Sequence, residues 1–347
     1  MSLRKPWLFL PSKLAHDLSP YGLELYSFLK GSDTTPVWNP FSFKNIIFKN
    51  RLGIAGGVDK NGDHLEAWRR VGCGFIEVGT VTPEAQAPNP GVIMNRDVPA
   101  LAVWNKMGFP SEGAAEVYFN VKKFKDHAST PVFVNIGKNR ITDNADAHKD
   151  YSQLITHFAD VADAFVVNIS SPNTKGLRDL ATRENFNAFI APIRKHYDEL
   201  KLSNPLFLKL SPDLDSEGQE NVLKGSIDHG FDGFILTNTT LDRTHTPNFP
   251  SEGGVSGKPL KEKSIQALMQ AKNIILKQKD KKCLISVGGV MTADDVFERI
   301  NLGADLVQVY STLVFEGPGF FRKVHKLAKH QLGTHTQDKF NEPNSRT

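Results

Sequence analysis

The stretch Val166-Val167-Asn168-Ile169-Ser170-Ser171-Pro172-Asn173-Thr174 decides how the chain reads. An apolar run from Ala164 to Val167 stops abruptly in two asparagines, two serines and a proline. A buried strand that gives way to a polar loop is how a parallel-sheet protein presents chemistry at the carboxyl end of a strand. Asn168 and Asn173 each carry an amide donor and an acceptor, a combination that reads a planar, uncharged heterocycle. Ser171 places a protic oxygen beside Pro172, which stiffens the turn. Asn, Ser and Pro also make ordinary turns, so the stretch gains meaning from what the rest of the chain presents in the same way.

Outward from it, from Leu52 onward, short apolar runs alternate with longer helix-like segments. The predicted strands are Leu52 to Ala55, Phe75 to Val78, Val132 to Asn135, Ala164 to Asn168, Leu206 to Leu210, Gly233 to Leu236, Leu284 to Val287 and Leu306 to Val309. Helical patterns lie between them at Gly62 to Val71, Tyr151 to Ala162, Glu184 to Tyr197, Gly218 to His229, Lys263 to Lys277 and Ala293 to Leu302. Eight strands with intervening helices describe an α/β fold of the (β/α)8 TIM-barrel type, whose usual size of ~250 residues matches residues 50–330. A doubly wound sheet fits less well, because no Gly-x-Gly-x-x-Gly follows the first strand.

Outside the barrel, residues 1–30 read as a small N-terminal extension. Leu14, Leu18, Tyr21, Leu25 and Phe28 recur at helical spacing, with Ser12 as one helix cap and Ser19-Pro20 as a second start, which predicts an amphipathic hairpin of two helices. Arg4, Lys5, Lys13 and Lys30 against Asp17 and Glu24 leave this unit at +2. Such a unit either packs on the barrel or lies on a membrane surface. Residues 31–49 read as a linker followed by a short β-hairpin from Phe41 to Phe48. Residues 331–347 read as a polar tail.

The chain of 347 residues is 39% hydrophobic and 23% charged, a composition that can build a substantial core. Its net charge of +4 and pI near 8.8 argue no nucleic-acid partner, yet do not oppose an anionic membrane surface. Cys73 and Cys283 stand just before strand-like runs and read as reduced core residues of a cytoplasmic protein. No window approaches the ~18 apolar residues of a membrane span. The eleven histidines show no metal-ligand spacing, and Ser171 sits in no Gly-x-Ser-x-Gly elbow, so metal and Ser-His-Asp chemistry are not expected.

The residues after each predicted strand form a coherent set. Gly56-Gly57-Val58-Asp59-Lys60-Asn61-Gly62 follows the first, and Gly79-Thr80 the second, before a long segment holding Asn105-Lys106-Met107-Gly108-Phe109. Gly257, Gly288-Gly289 and Tyr310-Ser311 occupy the last three loops, where backbone N–H groups of a barrel commonly cradle phosphate. Lys209 interrupts an apolar strand, which is costly unless it faces an anion or a polar cofactor such as a reduced flavin. Asn105, Asn168, Asn173 and Asn238 arrive from three loops; amides without carboxylates suit an anionic, amide-rich planar substrate, with Lys60 as a countercharge.

Gly56 to Gly62, Glu77-Val78-Gly79-Thr80-Val81-Thr82-Pro83, Asn105 to Phe109, Asn168 to Thr174, Thr237-Asn238-Thr239-Thr240 and Gly253-Gly254-Val255-Ser256-Gly257 together resemble the dihydroorotate dehydrogenases, in order and over roughly residues 10–325. The serine at 171 and the N-terminal unit resemble the quinone-dependent, membrane-associated class; the soluble classes use a cysteine as base. The resemblance implies FMN as cofactor and oxidation of dihydroorotate to orotate in pyrimidine biosynthesis. A membrane quinone would be the acceptor, with the protein held peripherally at the cytoplasmic face of the cell membrane. It implies Ser171 as the base for the C5 proton. Gly56, Gly57, Val58, Asp59, Lys60, Thr80, Asn135, Asn168, Lys209, Thr237, Gly257, Gly289, Tyr310 and Ser311 would contact FMN. Lys60, Asn105, Lys106, Met107, Gly108, Phe109, Asn168, Asn173, Asn238 and Thr239 would contact substrate, and His16 and Tyr310 would lie near the quinone path. Pro90 to Asp97 departs from the family's Arg-rich pattern, with Gly91 and Met94 at usually basic positions. The competing readings are a soluble enzyme using fumarate or NAD and a catalytically silent barrel acting as a binding module.

Overall fold

A computed structural model describes residues 5–174 and 176–340. It opens on a 3-10 turn, Pro6–Phe9, and helix α1 (Ser12–Lys30), followed by the hairpin β1 (Phe41–Phe43) and β2 (Ile46–Phe48). Next come β3 (Leu52–Asp59), α2 (Leu65–Arg70), β4 (Phe75–Val81), β5 (Met94–Asp97), β6 (Ala102–Asn105), α3 (Ala114–Lys125), β7 (Val132–Ile136), α4 (Ala147–His157) and β8 (Ala164–Asn168). The second half holds α5 (Arg183–Glu199), β9 (Leu206–Leu210), α6 (Ser216–Asp228), β10 (Gly233–Leu236), β11 (Gly254–Gly257), α7 (Lys261–Ile275), β12 (Cys283–Val287), α8 (Ala293–Asn301), β13 (Leu306–Val309), α9 (Ser311–Glu316) and α10 (Gly319–Phe340).

The strands β3, β4, β7, β8, β9, β10, β12 and β13 pair in parallel and close into one barrel, as the strand count predicts. Side chains alternate between two environments, as the pleat requires. Ile76, Val134, Phe165, Leu208 and Val307 belong to the core shared with the helices, whereas Phe75, Phe133, Val166, Phe207 and Leu306 fill the barrel interior. The hairpin supplies Phe41, Phe43 and Phe48 to that inner cluster; Phe48 meets Phe75 edge-on at 5.7 Å. It plugs the end where the barrel strands begin.

Two residues further along five of these strands, the inward position turns polar: Phe75 gives way to Glu77, Phe133 to Asn135, Val166 to Asn168, Phe207 to Lys209 and Leu306 to Gln308. All five polar residues are buried. The barrel is thus dry at one end and carries a polar layer at the other, where the strand-end loops lie.

Two long excursions cross that polar end. One follows β4 and carries β5 and β6; the other follows β10 and carries β11. They meet as a small antiparallel sheet in the order β11-β6-β5. Arg178, in the loop after β8, binds the chain from three sides: Ser170 O at 2.9 Å, Asp213 Oδ2 at 2.8 Å and Thr239 O at 2.9 Å.

One expectation is corrected. The N-terminal unit is not a pair of helices: α1 runs unbroken through Pro20. Proline removes the N–H that would bond the His16 carbonyl, and the Ser19 hydroxyl donates to that carbonyl instead, at 2.7 Å. Ser19 therefore repairs one helix rather than starting another. Pro11, not Ser12, stands at the N-cap, and Ser12 Oγ reaches Asn95 Oδ1 at 3.3 Å. The polar segment from residue 331 continues α10 as far as Phe340. Arg4 and residues 341–347 lie outside the described residues.

The extension is fastened to the barrel. Trp7 Nε1 donates to Val314 O at 2.8 Å, Arg96 Nη2 to Trp7 O at 3.0 Å, and Glu24 pairs with His64 at 2.8 Å. Leu23 and Ser27 are buried beneath α1, whereas Leu14, Leu18, Tyr21, Leu25 and Phe28 are exposed. The helix is amphipathic, and its apolar stripe faces outward.

Candidate active site

The polar end of the barrel opens into a cleft of about 950 Å³, including the part open to solvent. Its lining contains Ser171, Lys60, Lys209, Asn105, Asn168, Asn173 and Asn238, and among the described lining residues there is neither a carboxylate nor a histidine or cysteine. Gly56, Gly57, Thr80, Met107, Gly108, Phe109, Thr237, Thr239, Gly257, Gly289, Tyr310 and Ser311 also line it.

Four residues named from sequence stand elsewhere. Val58 packs against the main core. Asp59 turns away and accepts the backbone N–H groups of Asp63 and His64, each at 3.0 Å, which ties down the turn that leads into α2. Burial pushes its carboxyl up to about 6, against the pull of those N–H groups. Lys106 pairs with Glu252 across the two excursions. Asn135 lies behind Asn168, whose Nδ2 donates to Asn135 Oδ1 at 3.2 Å.

The asparagines form a chain of amides. Asn168 Nδ2 also donates to Thr80 Oγ1 at 3.0 Å, and Asn238 Nδ2 donates to Ser170 Oγ at 2.9 Å. Asn173 Nδ2 donates to Asn105 Oδ1 at 2.9 Å, which joins the β8 loop to the excursion after β4. The Asn168 carbonyl accepts from the buried Tyr151 hydroxyl at 2.8 Å, so the strand end is anchored from the helix side. Asn173 Oδ1 and Gln308 Oε1 are buried without a partner in the chain, and both residues line the cleft. An unpaired buried acceptor is costly unless something fills it, and two such acceptors match the N–H edges of planar heterocycles.

Ser171 is buried, and its Oγ accepts the Asn173 backbone N–H at 3.2 Å. Among the described residues no imidazole or carboxylate bonds this hydroxyl. Lys60 is held below the usual ammonium range by burial, which neighbouring Asp59 opposes. Burial also lowers His16 on α1 to about 4, with the Lys60 charge as the next cause, so α1 lies within electrostatic reach of the cleft.

On the opposite wall, Gly257 has φ +92°, and a Cβ there would collide with Leu101 O. Arg299, wholly buried on α8, donates to Ser286 Oγ at 2.9 Å and Gly288 O at 2.8 Å and so braces the loop after β12. Ser311 Oγ donates to Ser256 Oγ at 2.8 Å. This glycine-rich wall, apolar at Leu260, Val287 and Val290, suits a phosphorylated, flat cofactor. The residues present therefore fit FMN.

Sequence reasoning missed Arg178, Arg299 and Gln308, and named Glu77 only within a motif, without a role. Gln308 and Glu77 carry the signal that marks Lys209, a polar residue inside an apolar strand. Glu77 is fully buried and lies 2.9 Å from Lys209 Nζ.

Residues 40–332 match the family profile described as dihydroorotate dehydrogenase. A dihydroorotate dehydrogenase (quinone) of Sulfurimonas denitrificans is 37% identical over 337 residues, covering 92% of this chain and 91% of that protein. One from Deinococcus radiodurans is 39% identical over 285 residues, covering 80% of this chain and 76% of its own length. The solved structure of an Eimeria tenella DHODH in complex with ferulenol superposes with a TM-score of 0.85 at 30% identity, covering 94% of this chain and 93% of that one.

Proposed function

The chain belongs to the dihydroorotate dehydrogenase family, and on that premise we propose that the cleft at the polar end of its barrel holds both FMN and dihydroorotate, with Ser171 as the base. The enzyme oxidises dihydroorotate to orotate with a quinone as electron acceptor. The observation that carries the site reading is the lining: two lysines, four asparagines and Ser171 converge with no carboxylate among the described lining residues. That set attracts an anionic, amide-rich ring and repels nothing in it.

Dihydroorotate must lose a proton from C5 and a hydride from C6 to gain its ring double bond. Bound FMN supplies the acceptor for that hydride. Ser171 Oγ takes the C5 proton; without an imidazole or carboxylate partner it depends on a dry pocket and on passing the proton onward. Asn105, Asn168, Asn173 and Asn238 orient the substrate amides, with Met107, Gly108, Phe109 and Thr239 beside them. Lys60 balances the substrate carboxylate. Lys209 faces the cofactor, while Gly56, Gly57, Thr80, Thr237, Gly257, Gly289, Tyr310 and Ser311 cradle it.

Residues 1–30 form the membrane and quinone unit in this reading, residues 31–49 the linker and hairpin, and residues 50–330 the catalytic barrel. Among the described residues no helix is long and apolar enough to cross a membrane. The exposed stripe of α1 instead rests on the cytoplasmic surface of the membrane, with Lys13 and Lys30 at the headgroups. Quinone then reaches the cleft past His16 and Tyr310.

The test is the cofactor itself. Protein purified without added flavin and then heat-denatured should release a yellow compound that behaves as FMN, in about one equivalent per chain. A colourless protein, or one that releases FAD, contradicts this reading.

A further inference from the structure

Behind the cleft wall lies a charge that the reaction outlined above does not use. Glu77, on β4, is fully buried and does not line the cleft. Its Oε1 pairs with Lys209 Nζ at 2.9 Å and also accepts from Asn135 Nδ2. Its Oε2 accepts from Gln308 Nε2 at 2.6 Å. One carboxylate thus binds side chains from β7, β9 and β13, and through Asn135 it reaches Asn168 on β8. Gly56 belongs to the same arrangement: a Cβ there would collide with Glu77 Oε1, so the glycine makes room for the carboxylate.

The chemistry of Lys209 depends on this partner. A lone buried ammonium would present a full positive charge to the cleft and strongly favour a negative ligand. An ammonium paired at 2.9 Å presents a dipole whose negative end points away from the cleft. At low local dielectric the difference is large. Two-electron reduction by a hydride adds one negative charge to a bound flavin, so the Lys209–Glu77 pair acts directly on that equilibrium.

We propose that Glu77 is a positioning residue that fixes Lys209 against the cleft and attenuates its charge, and so sets how strongly the site favours the reduced flavin. The inference rests on the FMN reading above.

The experiment is a redox titration of the flavin-loaded protein against reference dyes, for the parent and for Glu77→Gln, Lys209→Met and the double variant. Glu77→Gln should fold, because Gln308 can turn its amide over and offer Oε1, which has no partner in the parent. Removing the negative charge should shift the flavin equilibrium toward the reduced form by about tenfold or more, an upward move of about 30 mV for a two-electron couple. Lys209→Met leaves the carboxylate alone and should shift it the opposite way. The double variant removes both buried charges, which costs less stability than removing one, and should return the potential to within about 10 mV of the parent, roughly a twofold change.

Opposite shifts in the single variants, cancelled in the double, support the proposal. A Glu77→Gln protein with the parent potential overturns it, as do single variants that shift in the same direction. If either single variant fails to fold, the double variant decides: a potential near the parent's supports the pair, and a lowered one assigns the effect to Lys209 alone. A parent without flavin overturns the cofactor reading and this inference with it, whereas an inference that fails alone does so only in the variants.

Discussion

Replacing Ser171 with alanine separates chemistry from structure. The side chain loses one oxygen, whose bond within the chain is the Asn173 N–H at 3.2 Å. A hydrogen bond of that kind contributes about 0.5–1.5 kcal/mol net, and the neighbouring contacts from Asn173 Nδ2 to Asn105 and from Asn238 Nδ2 to Ser170 do not involve it. The fold and the cleft should therefore survive with a stability loss of about 1 kcal/mol. The barrier to reaction should rise far more. A positioned general base contributes about 10²–10⁴-fold, or roughly 3–5 kcal/mol in barrier height at 1.36 kcal/mol per decade. The assay is anaerobic stopped-flow bleaching of the flavin by dihydroorotate, with orotate affinity measured by the perturbation of the flavin spectrum. Orotate affinity should stay within a few-fold while the bleaching rate collapses. Bleaching at the parent rate would remove Ser171 from the chemistry, and joint loss of orotate binding and bleaching would make it a binding residue instead. Ser171→Cys should retain part of the activity with a pH dependence moved to lower pH, because a thiol ionises more readily than a hydroxyl.

Lys209→Met leaves Glu77 buried without its cation, and breaking such a pair costs about 3–5 kcal/mol. Asn135 and Gln308 still bond the carboxylate, so the lower end of that range is expected in thermal or urea unfolding, and an unchanged midpoint would place Lys209 in solvent. Charged substitutions on the outward face of α1, Leu18→Asp with Phe28→Asp, should leave flavin reduction by dihydroorotate intact while lowering both liposome co-sedimentation and quinone turnover. Unchanged binding to anionic vesicles would reduce α1 to a structural cap. His325 is buried against Trp38, and burial lowers its imidazole to about 4. Its contribution to stability is therefore complete above the unfolded value near 6.5 and is lost as pH falls toward 4. Between pH 7 and pH 5 this group alone should remove about 2 kcal/mol, and His325→Gln should flatten that slope; a variant with the parent slope would place the acid sensitivity elsewhere.

The barrel was legible because its strands are short apolar runs with sharp ends. Ala164–Asn168, Leu206–Leu210, Gly233–Leu236 and Leu306–Val309 read from sequence with the bounds they have in the fold. The small sheet over the cleft was not, because Met94–Asp97 neither alternates nor buries a face, and β6 is completed on its other side by β11, far away in the chain. Pro20 misled for a local reason: a serine hydroxyl one residue earlier supplies the bond that proline cannot. Most named site residues meet in one cleft because position after a strand determines placement in this architecture. Asp59 and Lys106 occupy such positions too, but backbone N–H groups and Glu252 capture them. Asn135 is drawn back by Glu77, whose role was not legible because its partners on β7, β9 and β13 come together only when the barrel closes.

The most direct measurement follows electrons through the cleft in two mixing steps. Purified enzyme is mixed anaerobically with dihydroorotate, and the bleached protein is then mixed with a soluble quinone, with fumarate or with NAD. The account predicts rapid bleaching with one equivalent of orotate formed, then rapid recovery of colour with the quinone and none with fumarate or NAD. Recovery with fumarate or NAD but not with the quinone would contradict it, and so would a flavin that dihydroorotate leaves oxidised.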